Sequence, residues 1–225
     1  MAKEYLIRED QIKDLIDVIH DPVLHLITDR ANLVLNSLPE SINVIGQGAF
    51  GDCTKLALTS LPSGITIIGS QAFSYCTSLA LTSLPSGITS IGSEAFNSCN
   101  KLALTSLPDG ITDIPYMAFF RCSNLALTSL PSGITSIGSQ AFYSCRKLAL
   151  TSLPSGITII GIQAFYYCTG LTTLTFEGTP VSIAADAFQE CTNLTTINVP
   201  WAEGEVANAP WGATNATINY NYVGG

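Results

Sequence analysis

Charge is scarce in this chain: only 12% of its 225 residues are Asp, Glu, Lys or Arg. Basic residues are the scarcest, with nine Lys and Arg against seventeen Asp and Glu, for a net charge of −8. That balance argues against tracking a phosphate backbone, which requires a basic stripe, so no nucleic-acid partner is expected. No run reaches the ~18 apolar residues of a membrane helix, so no membrane insertion is expected. Met1–Asp10 (MAKEYLIRED) carries acids where a signal peptide would begin its apolar core, and no export signal is expected either. Histidine is limited to His20 and His25, five apart, which is not the i, i+4 face of a metal-binding helix. Both lie far from the cysteines and most serines, so neither a Ser nor a Cys nucleophile has a neighbouring base. Gly46-Gln47-Gly48 lacks the third, helix-opening glycine of a dinucleotide loop. No catalytic residue, cofactor or metal is expected.

What the chain does have is apolar side chains, 47% of the total, enough to bury a sizeable core. Its few charges are unevenly spread. Residues 1–37 hold seven acids and four bases, residues 38–175 five of each, and residues 176–225 five acids and no base. The middle of the chain must therefore be surfaced mostly by Ser, Thr, Asn and backbone.

Self-similarity decides the architecture. The dipeptide Ala-Phe ends at Phe50, Phe73, Phe96, Phe119, Phe142, Phe165 and Phe188, at a constant interval of 23. All seven cysteines keep the same clock three places later, from Cys53 to Cys191. An isoleucine column from Ile45 to Ile183 and a leucine column from Leu56 to Leu194 do likewise. Seven units occupy residues 38–198. In a unit such as LPSGITSIGSEAFNSCNKLALTS (Leu84–Ser106), Pro-Ser-Gly marks a turn, Ile-Thr-Ser-Ile a short extended run and Gly92 a bend. Ala, Phe and Cys in SEAFNSC are spaced for a single helical turn, and LALTSL reads as a second extended segment. One such unit cannot bury both its faces, so the units must stack. At ~4.8 Å per coil, seven coils make a rod about 34 Å long.

The pattern LPxxITxIGxxAFxxCxxLxxxx resembles the bacterial leucine-rich repeat of the BspA-like, Treponema type. That resemblance implies a leucine-rich-repeat solenoid: a right-handed superhelix of short parallel strands with short helical turns. It also implies a surface or extracellular setting and a role in adhesion, without naming a ligand. Departures from the pattern fall at Pro115 and, in the last unit, Ala184, which replace the bend glycine, and at LTTLTFEG (Leu171–Gly178) and LTTINVPW (Leu194–Trp201), which replace LALTSLP. The fourth coil is expected to be locally altered and the strand geometry to change near the end.

A solenoid needs closed ends. In residues 1–37, Ile12, Leu15, Ile16 and Ile19 fall on one helical face, predicting an N-terminal helical cap. Asn32–Pro39 repeats the shape of Lys55–Pro62, so the stack should begin half a coil before the first Ala-Phe. Residues 199–225 carry Trp201, Trp211 and the alternating run ATINYNYV, predicting a C-terminal β cap. The cysteines are odd in number and in register, which predicts an inward ladder of free thiols acting as small hydrophobes.

Residues that vary between invariant columns point to the outer side of the stack. The column after Phe reads Gly51, Ser74, Asn97, Phe120, Tyr143, Tyr166 and Gln189, so three consecutive coils present a stacked aromatic stripe. Neighbouring columns add Arg121, Arg146, Lys147 and Tyr167. These seven residues, Phe120 to Tyr167, are the candidate ligand-contact set. They either form a contact site, as aromatics with arginine do at interface centres, or cover the stack and stabilise one another. The functional expectation is a non-enzymatic binding module that recognises an unidentified protein or glycan, with no oligomeric state assigned. The alternative is a structural or receptor-binding component of a phage or related assembly, which needs no export signal because lysis releases it.

Overall fold

The computed structural model describes residues 30–223, in which the 23-residue units are successive coils of one stack. In chain order the strands are β1 Val44–Ile45, β2 Ile67–Ile68, β3 Ser90–Ile91, β4 Asp113–Ile114, β5 Ser136–Ile137, β6 Ser152–Leu153, β7 Ile159–Ile160, β8 Thr173–Phe176, β9 Ser182–Ile183, β10 Thr196–Asn198 and β11 Thr217–Asn219. All pairings are parallel, and those along the main wall hold a register of 23, as in Ile45 against Ile68. Among the described residues the only helical piece is a 3-10 turn at Arg30–Asn32. The helical cap expected around residues 12–19 lies outside the described residues.

The helical turns expected at AFxxC are absent, and the segment is a chain of overlapping β-turns. Ala49, Gly51 and Cys53 donate their N–H groups three residues back, to Gly46, Gly48 and Phe50. The alternate N–H groups of Gly48, Phe50 and Asp52 reach the next coil, to Ser70, Ala72 and Ser74. A helix would direct every N–H inward along its own axis. Here every second one is needed to hold the coil above, and the backbone turns left-handed to aim it. Asp52, Tyr75, Ser98, Arg121, Ser144, Tyr167 and Glu190 accordingly share a φ of 56–63°. Non-glycine residues seldom occupy this region unless the surroundings impose it.

The core is a set of self-stacking columns. Each phenylalanine of the Ala-Phe column is buried, and successive rings lie 5.0–5.6 Å apart, with planes within 14° of parallel. The cysteines are free and buried, as expected, yet they act as more than small hydrophobes. Each Phe carbonyl has two lone pairs, and from Phe50 to Phe165 it takes one donor from its own coil and one from the next. Phe96 O receives the Cys99 N–H at 3.1 Å and the Cys122 thiol at 3.0 Å. Six thiols, from Cys76 to Cys191, make this contact at 2.9–3.1 Å. Burial pushes the Cys191 thiol up to about 12 and holds those of Cys122, Cys145 and Cys168 well above the ordinary range. The proton needed for donation therefore stays on sulfur at neutral pH.

The bend glycines are required by close approach between coils. A Cβ on Gly69 would lie 2.7 Å from Gln47 N, and one on Gly138 2.7 Å from Tyr116 N. At Pro115 the fourth coil departs from this rule and the ladder breaks. Gly69, Gly92, Gly138 and Gly161 each donate to an isoleucine carbonyl of the coil below, whereas proline has no N–H to offer. β1-β2-β3 and β4-β5-β7-β9 are consequently separate sheets. The flanking turn wall continues across the break through Glu94, Phe96 and Ser98, which donate to Tyr116, Ala118 and Phe120.

At the two ends the repeat persists in altered form. Leu33, Leu35 and Leu38 are buried, and Thr54 Oγ1 donates to Ala31 O as Thr77 does to Thr54 O, which extends the stack below the first Ala-Phe. Towards the other end, β6, β8, β10 and β11 form a third sheet on the LTT wall. Residues 209–217 (APWGATNAT) repeat 187–195 (AFQECTNLT) at an offset of 22, with Pro, Ala and Ala in place of Phe, Cys and Leu. The same turn bonds recur, Ala213 N to Pro210 O and Ala216 N to Ala213 O, both 2.9 Å. The room left by these small residues is filled by Trp201 and Trp211: Trp201 meets Phe176 and Trp211 edge to face, and Trp211 lies tilted at 46° to Phe176. The fully buried Trp211 indole donates to Ala207 O at 2.7 Å.

Two expected outcomes follow from this packing. Phe96→Ala removes a ring stacked on both faces and should lower stability by about 3–5 kcal/mol in denaturant melts, as other large core truncations do. A loss below about 1 kcal/mol would contradict the ring ladder. In hydrogen exchange, the Thr112 amide, on the unpaired side of β4, should exchange faster than those of Thr89 and Thr135, which donate to Thr66 O and Thr112 O. Equal protection of the three would mean that the ladder is continuous across Pro115.

Candidate functional site

The variable columns meet on the turn wall, where the inter-coil spacing brings like side chains within stacking distance. Phe120 and Tyr143 stack at 4.7 Å and Tyr143 and Tyr166 at 4.6 Å, with interplanar angles of 22° and 11°. Tyr167, one column over, lies 6.4 Å from Tyr166. All four rings are half-buried. Not every member of this column faces outward: Ser74 is 7% exposed and Asn97 4%. Asn97 is tied down by its contacts with Glu94 and Ser98.

The arginines rest on these rings. The Arg121 guanidinium sits 5.1 Å from the Phe120 centroid, and that of Arg146 5.0 Å from Tyr167. Cation–π contacts of this kind contribute about 0.5–1 kcal/mol at exposed sites. Among the described residues neither guanidinium has a carboxylate or carbonyl partner. The Tyr166 phenol is held above its usual range, first by loss of solvent and then by the Tyr143 phenol and the Glu190 carboxylate beside it.

Between these side chains runs an open groove of about 640 Å³, lined by Asn100, Arg121, Ser123, Tyr143, Ser144, Arg146, Tyr166 and Tyr167. It collects five of the seven residues singled out from the sequence. Phe120 forms the edge of the stack, and Lys147 is exposed outside the lining. The sequence reading missed Asn100, Ser123 and Ser144. Their signal was present as small residues: Ser144 lies between Arg121 and Tyr167 in one column, and Ser123 precedes Arg146 in the next. Short side chains between long ones in a stacked column leave a trough. Among the described residues no group of three or more His, Cys, Asp or Glu could hold a metal ion. No helix among them is long and apolar enough to cross a membrane.

Parallel strands repeating every 23 residues around stacked leucine, isoleucine and phenylalanine columns define a leucine-rich-repeat solenoid. Residues 29–149 and 101–207 match the BspA type leucine rich repeat region, in six copies, and the chain belongs to that family. A search of curated proteins finds no match. Among solved structures, the chain is similar to a leucine rich cell surface protein from Faecalibacterium prausnitzii A2-165, at 26% identity, 84% of this chain, 60% of that one and a TM-score of 0.50. It is also similar to a leucine-rich repeat protein from Bacteroides ovatus ATCC 8483, at 22% identity, 84% of this chain, 61% of that one and a TM-score of 0.47. The T. pallidum leucine rich repeat protein is 28% identical over 74% of this chain and 71% of its own, with a TM-score of 0.47. The chain thus spans about three fifths of the Bacteroides and Faecalibacterium proteins.

Replacing Phe120, Tyr143 and Tyr166 together with Ser, the residue already present at position 74, tests how far the stripe serves the fold. The two close stacked pairs, at roughly 0.5–1.5 kcal/mol each, and the Arg121 seat on Phe120, at about 0.5–1 kcal/mol, should be lost, about 1.5–4 kcal/mol by chemical denaturation, with the folded baseline retained. Failure to fold would make the rings obligatory cover.

Proposed function

We propose that the chain is a non-enzymatic binding module whose contact surface is the groove across the third to sixth coils. The observation that carries this reading is the pair of guanidiniums seated on aromatic rings without an anionic partner. Side chains that only covered the stack would have no need of charge. Yet four of the five bases in residues 38–175 (Lys101, Arg121, Arg146 and Lys147) belong to three successive coils. Packing holds the rings and the rings hold the guanidiniums, so little side-chain entropy remains to be lost when a partner binds. The Faecalibacterium relative is described as a cell surface protein, and display on a bacterial surface, with a protein or glycan as ligand, is the setting we assign to this chain.

The test is a glycan and matrix-protein array probed with the purified chain and with the Phe120→Ser/Tyr143→Ser/Tyr166→Ser variant, at a temperature where both are folded. Features bound by the parent should be lost by the variant. Binding should weaken modestly with added salt, because the arginine contacts act within a Debye length of ~8–10 Å. Unchanged binding by a folded variant would place the contact surface elsewhere on the stack, and an array with no bound feature would count against the module itself.

A further inference from the structure

The geometry points to an anionic saccharide, carrying carboxylate or sulfate groups, as the class of ligand that this groove takes; the inference rests on the groove being the contact surface. The first ground is the balance of donors and acceptors. The lining holds two guanidiniums, which donate and never accept, three phenols, two serine hydroxyls and one amide, and no carboxylate. The hydroxyls and the amide could serve a neutral sugar, but the two guanidiniums can only donate, and a uronate or sulfate ester brings each of them a charged acceptor that a neutral sugar lacks. The donors are also unspent, since Arg121 and Arg146 have only ring contacts among the described residues.

The second ground is the state of the ring faces. Flat aromatic residues bind neutral sugars by laying an open face against the C–H side of the pyranose. Here Tyr143 is stacked on both faces, and Arg146 lies over Tyr167. With both faces of Tyr143 and one face of Tyr167 so occupied, recognition falls more to hydrogen bonding and charge. The third ground is size, since about 640 Å³ lies in the range of small-molecule sites and suits a short oligosaccharide. A folded protein partner would instead need roughly 800 Å² of buried surface on each side, well beyond one trough. Glu190, outside the lining but close enough to raise the Tyr166 phenol, makes the Tyr166 side of the groove the less favourable one for an anionic group.

The experiment titrates the full chain by calorimetry with trigalacturonate, a sulfated galactose trimer, neutral galactotriose and a decaglutamate peptide. Two variants accompany it: Arg121→Gln/Arg146→Gln, which leaves the tyrosine stack intact, and Lys55→Gln, a charge loss in the first coil. At least one acidic trimer should bind, with the neutral trimer far weaker, the double variant reduced about tenfold or more through loss of two charge-assisted contacts, and Lys55→Gln unchanged. Equal binding of galactotriose would overturn the anionic assignment while leaving the groove as the contact surface. So would binding of the peptide in preference to the saccharides. An acidic trimer bound equally well by the double variant, or weakened as much by Lys55→Gln, would also overturn it. Binding of none of the four would overturn it too, and the array with the serine variant then decides separately whether the groove is a contact surface at all.

Discussion

Every coil in this protein must satisfy its backbone on the coil beside it. Strand N–H groups reach back to the coil below, as from Gly69 to Ile45 O, and turn N–H groups reach forward to the coil above, as from Phe50 to Ala72 O. Coils held in this way sit one strand spacing apart. Each side chain therefore meets its own counterpart, and only residues that pack well against themselves can form a column. Phenylalanine stacks, leucine and isoleucine interlock, threonine hydroxyls donate to the threonine carbonyl below, and glycine stands wherever backbones come too close for a Cβ.

Cysteine is the least obvious member of that set. Valine or alanine would fill similar space, but neither could give the second lone pair of the Phe carbonyl a donor. The carbonyl keeps its backbone donor in either case, so what the thiol adds is a second hydrogen bond, about 0.5–1.5 kcal/mol net for a typical one and less for a weak S–H donor. The thiol supplies the proton from a side chain apolar enough to remain in the core. From Cys99 to Cys191 the same desolvation that hides the thiols also holds them protonated and so unreactive.

The columns were legible in the sequence because stacking turns each structural role into an exact period, and Phe96, Cys99 and Leu102 could be assigned inward from spacing alone. The break at Pro115 was legible as a site of alteration for the same reason, since one missing N–H stands out against identical neighbours. The helical turn was misread because apolar spacing is the same for a helical turn and for linked β-turns. What distinguishes them is the left-handed φ at residues such as Ser98 and Tyr167, and neither residue announces it. The repeat at residues 209–217 was hidden by its offset of 22 and by tryptophans that fill the core from other positions. The stripe was visible as a column of rings, but the groove depends on the small residues Ser123 and Ser144, which stand out only once neighbouring columns are laid side by side.

In a linear array, stability is the sum of what each unit contributes and of its couplings to its two neighbours, so the weakest coupling sets where the array separates. The joint between the third and fourth coils, lacking its strand pairing, is the natural weak link. The groove crosses it, with Asn100 on one side and Arg121 on the other. A molecule seated there would touch both segments and act as a strap across the joint. Occupancy would then add to the cooperativity of the whole rod, coupling its two halves more tightly than the polypeptide does alone.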